Sequence, residues 1–181
     1  MRNEPLKPIY TITDFVTGKK IPDIGAEMNR QAVERFLVDI KGFDKKDIEV
    51  GAEIEIAIDE ESYRSRIDLI VSVDGRRFMA IKCAAGSLDS RRREILAAAR
   101  LMENCQIPVS VVSDGKTAIV LDTVSGQKTG EGIDAISCRD EAKAKLSAFD
   151  PVPYPADRLE REKLIFRSYD SMNVNVNRTN S

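Results

Sequence analysis

Asp68 and Lys82 are the residues of this sequence whose surroundings best suit chemistry. Asp68 lies within the apolar stretch RIDLIV, and Lys82 lies within the apolar stretch MAIKC that follows a short turn. An acid and an amine on neighbouring strands favour one of two roles. The first is a partly buried ion pair, which contributes little net stability because desolvation offsets the attraction. The second is a phosphodiesterase site, in which acids hold Mg²⁺ and the lysine orients a water or offsets charge.

The turn between the two stretches decides which side of the sheet Asp68 faces. With a two-residue loop at residues 74–75, the apolar face of the first strand would meet the face that carries Lys82. With a three-residue loop at residues 73–75, Asp68 opposes Ala80 and has Lys82 alongside. The second register matches apolar to apolar residues, and a slip by one residue would undo that match. We therefore predict the three-residue loop, with Asp68 and Lys82 on one face.

The composition excludes several classes of function. The chain has 181 residues and no histidine, which excludes mechanisms that need imidazole. Its formal net charge of −2 excludes a global basic field that would attract nucleic acid. Three separated cysteines without histidine indicate buried reduced thiols rather than a zinc site. No apolar run approaches the roughly 18 residues of a membrane span, and the N-terminus does not read as a signal peptide. These features predict a cytoplasmic protein.

The hydrophobic periodicity predicts a mixed α/β domain. Apolar residues recur at helical spacing from about residue 24 to 41 and from about 90 to 104, and they alternate with acids from Ile48 to Ile58. Two strands flank the turn at residues 73–75, and two more are expected in IPVSVV and TAIVLD. We predict an arm with one short strand at 1–22, the α/β domain at 23–138, and C-terminal helices with a frayed tail at 139–181, with the helices over 139–148 and 156–172.

Several motifs, taken in order, resemble the N-terminal nuclease-like domain of the R subunit of type I restriction enzymes, within the PD-(D/E)xK superfamily. The segment AEMNRQAVERF looks like the family's opening helix, with Glu27, Arg30 and Gln31 in its Glu–Arg–Gln pattern. EIEI matches its first long strand, RIDLIV its Arg-x-Asp motif, and VSVVSDGKTAIVLDTVSG its later hairpin. AIKCAAG falls where the family has Glu-x-Lys. The likeness covers roughly residues 20–140.

This resemblance implies a restriction-endonuclease-like mixed sheet of about five strands, flanked by helices and followed by a C-terminal helical extension. It implies Mg²⁺-dependent cleavage of DNA, with other restriction-modification subunits as partners. Asp68 would then bind the metal, Lys82 would aid the nucleophilic water, and Glu27 would add an outer ligand or orient a water. Magnesium is expected only if the site is active.

One position departs from the family pattern. Ala80 stands where the family has the glutamate of Glu-x-Lys, and alanine has no oxygen with which to ligate Mg²⁺. A replacement carboxylate could come from Glu53, Asp89 or Glu94, although each is expected to be an ordinary solvated acid. The sequence therefore predicts a weak Mg²⁺ binder and a poor nuclease. The alternative is a non-catalytic module that binds nucleic acid or protein on the same fold.

Arg91, Arg92 and Arg93 form a basic run at the start of the second predicted helix. Arginines placed above the site could contact phosphates and position a nucleic acid. A solvated basic turn next to Glu94 explains the same run equally well.

Overall fold

The computed structural model describes residues 10–178, with side chains described up to residue 172, and consists of two sheets flanked by helices. The large sheet has six strands that lie side by side in chain order, and the first two strands of the chain pair in a separate hairpin. The elements are β1 (Thr11–Thr13), β2 (Lys20–Pro22), α1 (Glu27–Arg35), β3 (Ile48–Ile58), β4 (Glu61–Val73), β5 (Arg76–Cys83), α2 (Arg92–Leu101), β6 (Val109–Ser113), β7 (Ala118–Asp122), β8 (Lys128–Glu131), α3 (Arg139–Ala148) and α4 (Leu159–Arg178). The predicted mixed α/β fold is confirmed, with six strands rather than about five in the main sheet.

The sheet is mixed because a helical crossover joins two antiparallel halves. Strands β3, β4 and β5 form one antiparallel meander, and β6, β7 and β8 form another. β5 pairs with β6 in parallel, and α2 supplies the crossover between them. A parallel pair needs such a long connection, whereas antiparallel neighbours are joined by short turns. The short strand β8 was not predicted, since KTGE carries no apolar alternation.

Helices cover both faces of the sheet, and within the described residues each face carries one large apolar core. In the first core, α1, the π-helical segment Phe36–Ile40 that continues it, and α3 pack on one face through side chains that include Val33, Leu37 and Leu146. In the second core, α2 and α4 pack on the other face through side chains that include Ile95 and Phe166. Asp68 and Lys82 belong to strands that are buried between these two layers.

The β4–β5 turn has two residues, so the predicted three-residue register is wrong. Val73 pairs with Arg76, and Asp74 and Gly75 both have positive φ, as a tight hairpin turn of the I′ type requires. A bulge then shifts the register between Val71 and Ser72, where Phe78 is the extra residue of β5. Beyond the bulge, Ile70 opposes Ala80, so Asp68 does not.

The bulge nevertheless keeps the face that the sequence predicted. It adds one residue, which restores the pairing of apolar positions and returns Asp68 to the same side as Lys82. That part of the prediction is confirmed, because the two side chains lie within ion-pair distance.

Gly51 breaks the regular pairing beside Asp68. Its φ is +67, and the β3–β4 register passes from Val50–Leu69 to Ala52–Ile67 without pairing Gly51 with Asp68. Val50 packs against the first core, whereas Ala52 belongs to the second, so the buried side of β3 changes here. Asp68 therefore lies beside an irregular position of β3, and irregularities of this kind bend and twist a strand locally.

The two ends of the chain extend the domain. The arm forms the β1–β2 hairpin rather than one strand, and residues 1–9 lie outside the described part. The predicted helix at 139–148 is confirmed, and α4 continues to Arg178, within the segment predicted to be frayed; residues 179–181 lie outside the described part. In the part of the chain that is described, no helix combines the length and apolarity that crossing a bilayer requires.

Candidate active site

Lys82 lies between two carboxylates on the face covered by α2 and α4. Its Nζ is 3.0 Å from Oε1 of Glu94 and 3.7 Å from Oδ2 of Asp68. The other polar contact fixes Asp68, whose Oδ2 accepts a hydrogen bond from the backbone N–H of Cys83 at 2.7 Å. The structure thus brings together an acid from β4, a lysine from β5 and a second acid from α2.

The surroundings favour the charged form of Lys82. Burial alone would lower the pKa of its ammonium, but the negative charges of Asp68 and Glu94 outweigh that effect and raise the pKa above the ordinary value. Only 15% of the Lys82 side chain is exposed, so these charges are weakly screened. Lys82 is therefore a cation and a hydrogen-bond donor at neutral pH rather than a proton acceptor.

Glu94 of α2 is the second carboxylate beside Lys82, and it is buried. Ala80 is completely buried opposite Ile70, and its strand position carries no oxygen ligand. Glu94 projects from the first turn of α2 instead, and 3% of its side chain is exposed. From the sequence, all three candidate acids are expected to be solvated. That expectation is wrong for Glu94, whereas Glu53 and Asp89 are largely exposed.

The two carboxylates fit a magnesium ion whose remaining ligands are water molecules and substrate oxygens. Mg²⁺ is usually held by one or two carboxylates plus waters and substrate phosphates, rather than by a cage of protein ligands. Asp68 and Glu94 provide two hard oxygen donors on one face. Within residues 10–178, no group of three or more acidic, cysteine or histidine side chains is arranged to hold a metal. Any metal here would therefore rest on these two carboxylates.

Glu27, the third predicted site residue, takes part in a different cluster. Its carboxylate accepts from Arg30 at 2.5 Å, and Arg30 also contacts Asp14 at 2.7 Å and Glu34. Within the described residues, no ion pair joins Glu27 to Asp68 or Lys82. A catalytic role for Glu27 remains a prediction, and its visible role is to orient Arg30.

The Arg30 cluster holds the arm against α1 and contains an acid with a raised pKa. Burial raises the pKa of the fully buried Glu34 to about 7, against the lowering effect of Arg30. The pKa of Asp14 lies at about 2, because hydrogen bonds from Thr17, Arg30 and Gln31 outweigh its burial. In this chain the family's Glu–Arg–Gln pattern is thus part of a buried charge network that binds the N-terminal arm to α1.

The three arginines that were predicted to contact DNA pair with three different acids. Arg91 contacts Glu94 at 3.5 Å, Arg92 contacts Asp89 at 3.1 Å, and Arg93 contacts Glu162 of α4 at 3.5 Å. Of these three contacts, that of Arg91 is the one with the acid–lysine group, which consists of Asp68, Lys82 and Glu94. Their contact with nucleic acid stays a prediction.

The C-terminal helix adds residues that sequence analysis missed. Asp170 of α4 accepts a hydrogen bond from Oη of Tyr63 at 2.5 Å, and its charge also favours the ammonium form of Lys82. Burial and Asp170 together raise the pKa of the Tyr63 hydroxyl. No motif pointed to Asp170, because its position depends on how α4 packs across the second core.

Comparison with known proteins identifies the family. The family model for the type I restriction enzyme R protein N terminus matches residues 25–137, which span α1 to the segment before α3. The chain therefore belongs to this family. Searches of curated proteins and of solved structures each gave no match. Helices α3 and α4 lie outside the matched residues.

Proposed function

We propose that this domain is a Mg²⁺-dependent deoxyribonuclease whose second metal-binding carboxylate comes from α2 instead of β5. The observation that carries the proposal is the shared contact of Asp68 and Glu94 with the ammonium of Lys82. Membership of the R-protein family supports DNA as the substrate and other restriction-modification subunits as partners. The buried Glu94 thereby fills the role that Ala80 leaves open.

The residues of the chain divide the work by charge. Asp68 and Glu94 would hold Mg²⁺, which when bound stabilises negative charge on a phosphate oxygen. Lys82, charged and confined between the acids, donates hydrogen bonds to a water or a phosphate oxygen and offsets the negative charge that develops there. The backbone N–H of Cys83 fixes the Asp68 carboxylate, so that its free oxygen keeps one direction.

A non-catalytic binding module is the second candidate, and one observation favours it. Lys82 pairs with both carboxylates and Arg91 pairs with Glu94, so two cations balance two acids and the group also forms a structural ion-pair network. In that case the acids would serve the packing of α2 on the sheet, and DNA or protein binding would need no metal.

Nicking of a supercoiled plasmid with Mg²⁺ and with chelator distinguishes the two candidates. We expect metal-dependent nicking by the natural protein, and loss of nicking by Asp68→Asn, Glu94→Gln and Lys82→Met. Glu131→Gln is the matched control, since Glu131 is exposed on β8 and its carboxylate pairs with the exposed Lys128. Absence of nicking by the natural protein, or equal nicking by all variants, would favour the binding module.

A further inference from the structure

Three arginines of α2 line a pocket beside the helix. The pocket measures about 420 Å³ and lies between α2 and the turn after β7, with Arg92, Arg93, Arg100 and Gly126 on its walls. The only acid in its lining is Asp89. Arg92 and Arg93 have 37% and 40% of their side chains exposed, so both guanidinium groups are accessible from solvent.

Arg100 forms the fixed floor of this arginine pocket. Its Nε donates to the carbonyl oxygen of Thr123 at 3.0 Å, and its Nη1 donates to Glu162 at 2.9 Å. Its Nη2 points toward Gly126, where an added Cβ would lie 3.2 Å from that nitrogen. The missing side chain of Gly126 therefore leaves room beside a held guanidinium group with 10% exposure.

The charges of the arginine pocket do not balance. Glu162 pairs with Arg93 and Arg100, but it belongs to α4 and does not line the pocket. Asp89 pairs with Arg92, and 75% of its side chain is exposed, so a competing anion can displace it easily. Three cations thus face two acids, of which one lies behind the wall and the other is loosely held.

We infer that the arginine pocket binds a phosphate group. Guanidinium groups match phosphate oxygens through paired N–H donors, and three of them around one concave site suit a single phosphate. Arg92 and Arg93 directly precede Glu94 in the first turn of α2, so the pocket and the proposed metal site share that turn of the helix. This inference rests on the proposed function, so the phosphate is one in the backbone of a DNA strand. The arginine pocket would hold that strand while a neighbouring phosphodiester reaches Lys82.

The test measures affinity for a fluorescent 20-base-pair duplex by anisotropy, in chelator so that cleavage does not interfere. We expect the double variant Arg92→Gln/Arg93→Gln to bind about tenfold more weakly at 0.1 M salt and to lower the slope of log K against log salt by about 1. Asp89→Asn removes the competing carboxylate and should tighten binding. The matched control is Arg64→Gln, since Arg64 is 78% exposed on β4 and pairs with an exposed acid.

A second arm distinguishes strand phosphates from free phosphate. Calorimetric titration with inorganic phosphate should show weak binding to the natural protein and none to the double variant. If the double variant loses phosphate but keeps DNA affinity, the pocket serves a free phosphate and the strand assignment falls. If it loses neither, or if Arg64→Gln weakens DNA binding equally, the inference is overturned.

The two proposals fail separately in these experiments. Failure of the nuclease proposal would leave pocket-dependent DNA binding in chelator without metal-dependent nicking. Failure of the pocket would leave nicking intact while the double variant binds DNA as tightly as the natural protein.

Discussion

Replacing Glu94 by glutamine tests whether the acid–lysine group behaves as a charge network. The substitution keeps the size of the side chain and removes one negative charge that lies 3.0 Å from Lys82. Asp68 remains at 3.7 Å, so Lys82 keeps one partner. The change therefore weakens the network without leaving an isolated buried cation.

The expected loss of stability follows from these distances. With an effective dielectric constant of about 20, the Lys82–Glu94 attraction is about 5 kcal/mol and the Lys82–Asp68 attraction is about 4 kcal/mol. Desolvation of the charges offsets most of this, and breaking a buried pair completely costs about 3–5 kcal/mol. Because Asp68 remains, we expect Glu94→Gln to lower the free energy of unfolding by about 1–3 kcal/mol.

The stability difference between the two proteins should also depend on pH, which a loss of packing alone would not cause. Lys82 has a raised pKa in the folded state, so its contribution to stability is complete below the unfolded value of 10.5 and is lost as pH rises through the folded pKa. At pH 7 the free energy of unfolding of the natural protein should therefore exceed that of Glu94→Gln by the full amount. This difference should shrink above pH 10.5.

Urea denaturation of both proteins at pH 7 and pH 11, with NMR observation of the lysine Cε signals, measures these quantities. Glu131→Gln is the control and should change the free energy of unfolding by less than about 1 kcal/mol, as exposed ion pairs do. A Glu94→Gln variant that is equally stable, with an unchanged Lys82 titration, would refute the charge network.

Three further predictions concern neighbouring positions. Ala80→Glu should destabilise the fold by about 2–5 kcal/mol, because it buries a further acid, and should cost less when combined with Glu94→Ala, as a double-mutant cycle in urea would show. Because the pKa of Glu34 is raised, the stability of the natural protein should fall by about 1–3 kcal/mol as pH rises from 4.5 to about 7. Glu34→Gln should remove this fall when both proteins are denatured across that pH range, and an unchanged pH profile would contradict the prediction. Gly51→Ala should cost about 1–2 kcal/mol in thermal unfolding, because alanine is strained at φ +67, and no loss would show that the twist at Asp68 is not fixed there.

The order of elements was predictable because their periodicity is strong. Alternating isoleucines and acids fix β3 from Ile48 to Ile58, and the apolar face of α2 is equally regular. The face shared by Asp68 and Lys82 was predictable for the same reason, since a register that buries apolar side chains leaves few choices.

The exact hairpin register could not be predicted from turn chemistry alone. The Asp74–Gly75 pair indicated a two-residue turn, but that turn without a bulge would have placed Lys82 against the apolar face. The bulge at Phe78 reconciles the turn with the core, and a bulge depends on packing across the sheet. The sequence argument therefore found the correct face with the wrong partner for Ala80.

The identity of the second carboxylate depended on tertiary structure. Glu94 was one of three candidates, and only the docking of α2 on β5 distinguishes it from the exposed Glu53 and Asp89. A possible clue was its place in the first turn of an otherwise apolar helix face, where a buried acid needs a partner. Asp170 and Glu162 carried no such clue, since α4 lies far along the chain.

The central claim is that Asp68 and Glu94 act together on one metal ion, and manganese titration tests it most directly. Calorimetry on the natural protein, on Asp68→Asn, on Glu94→Gln and on the double variant gives the coupling between the two acids. We predict that each single variant loses about 10–100-fold in affinity, as removal of a charged partner worth about 1.5–3 kcal/mol implies, and that the double variant binds little worse than either. Unchanged manganese affinity in both single variants, or no binding by the natural protein, would contradict the account.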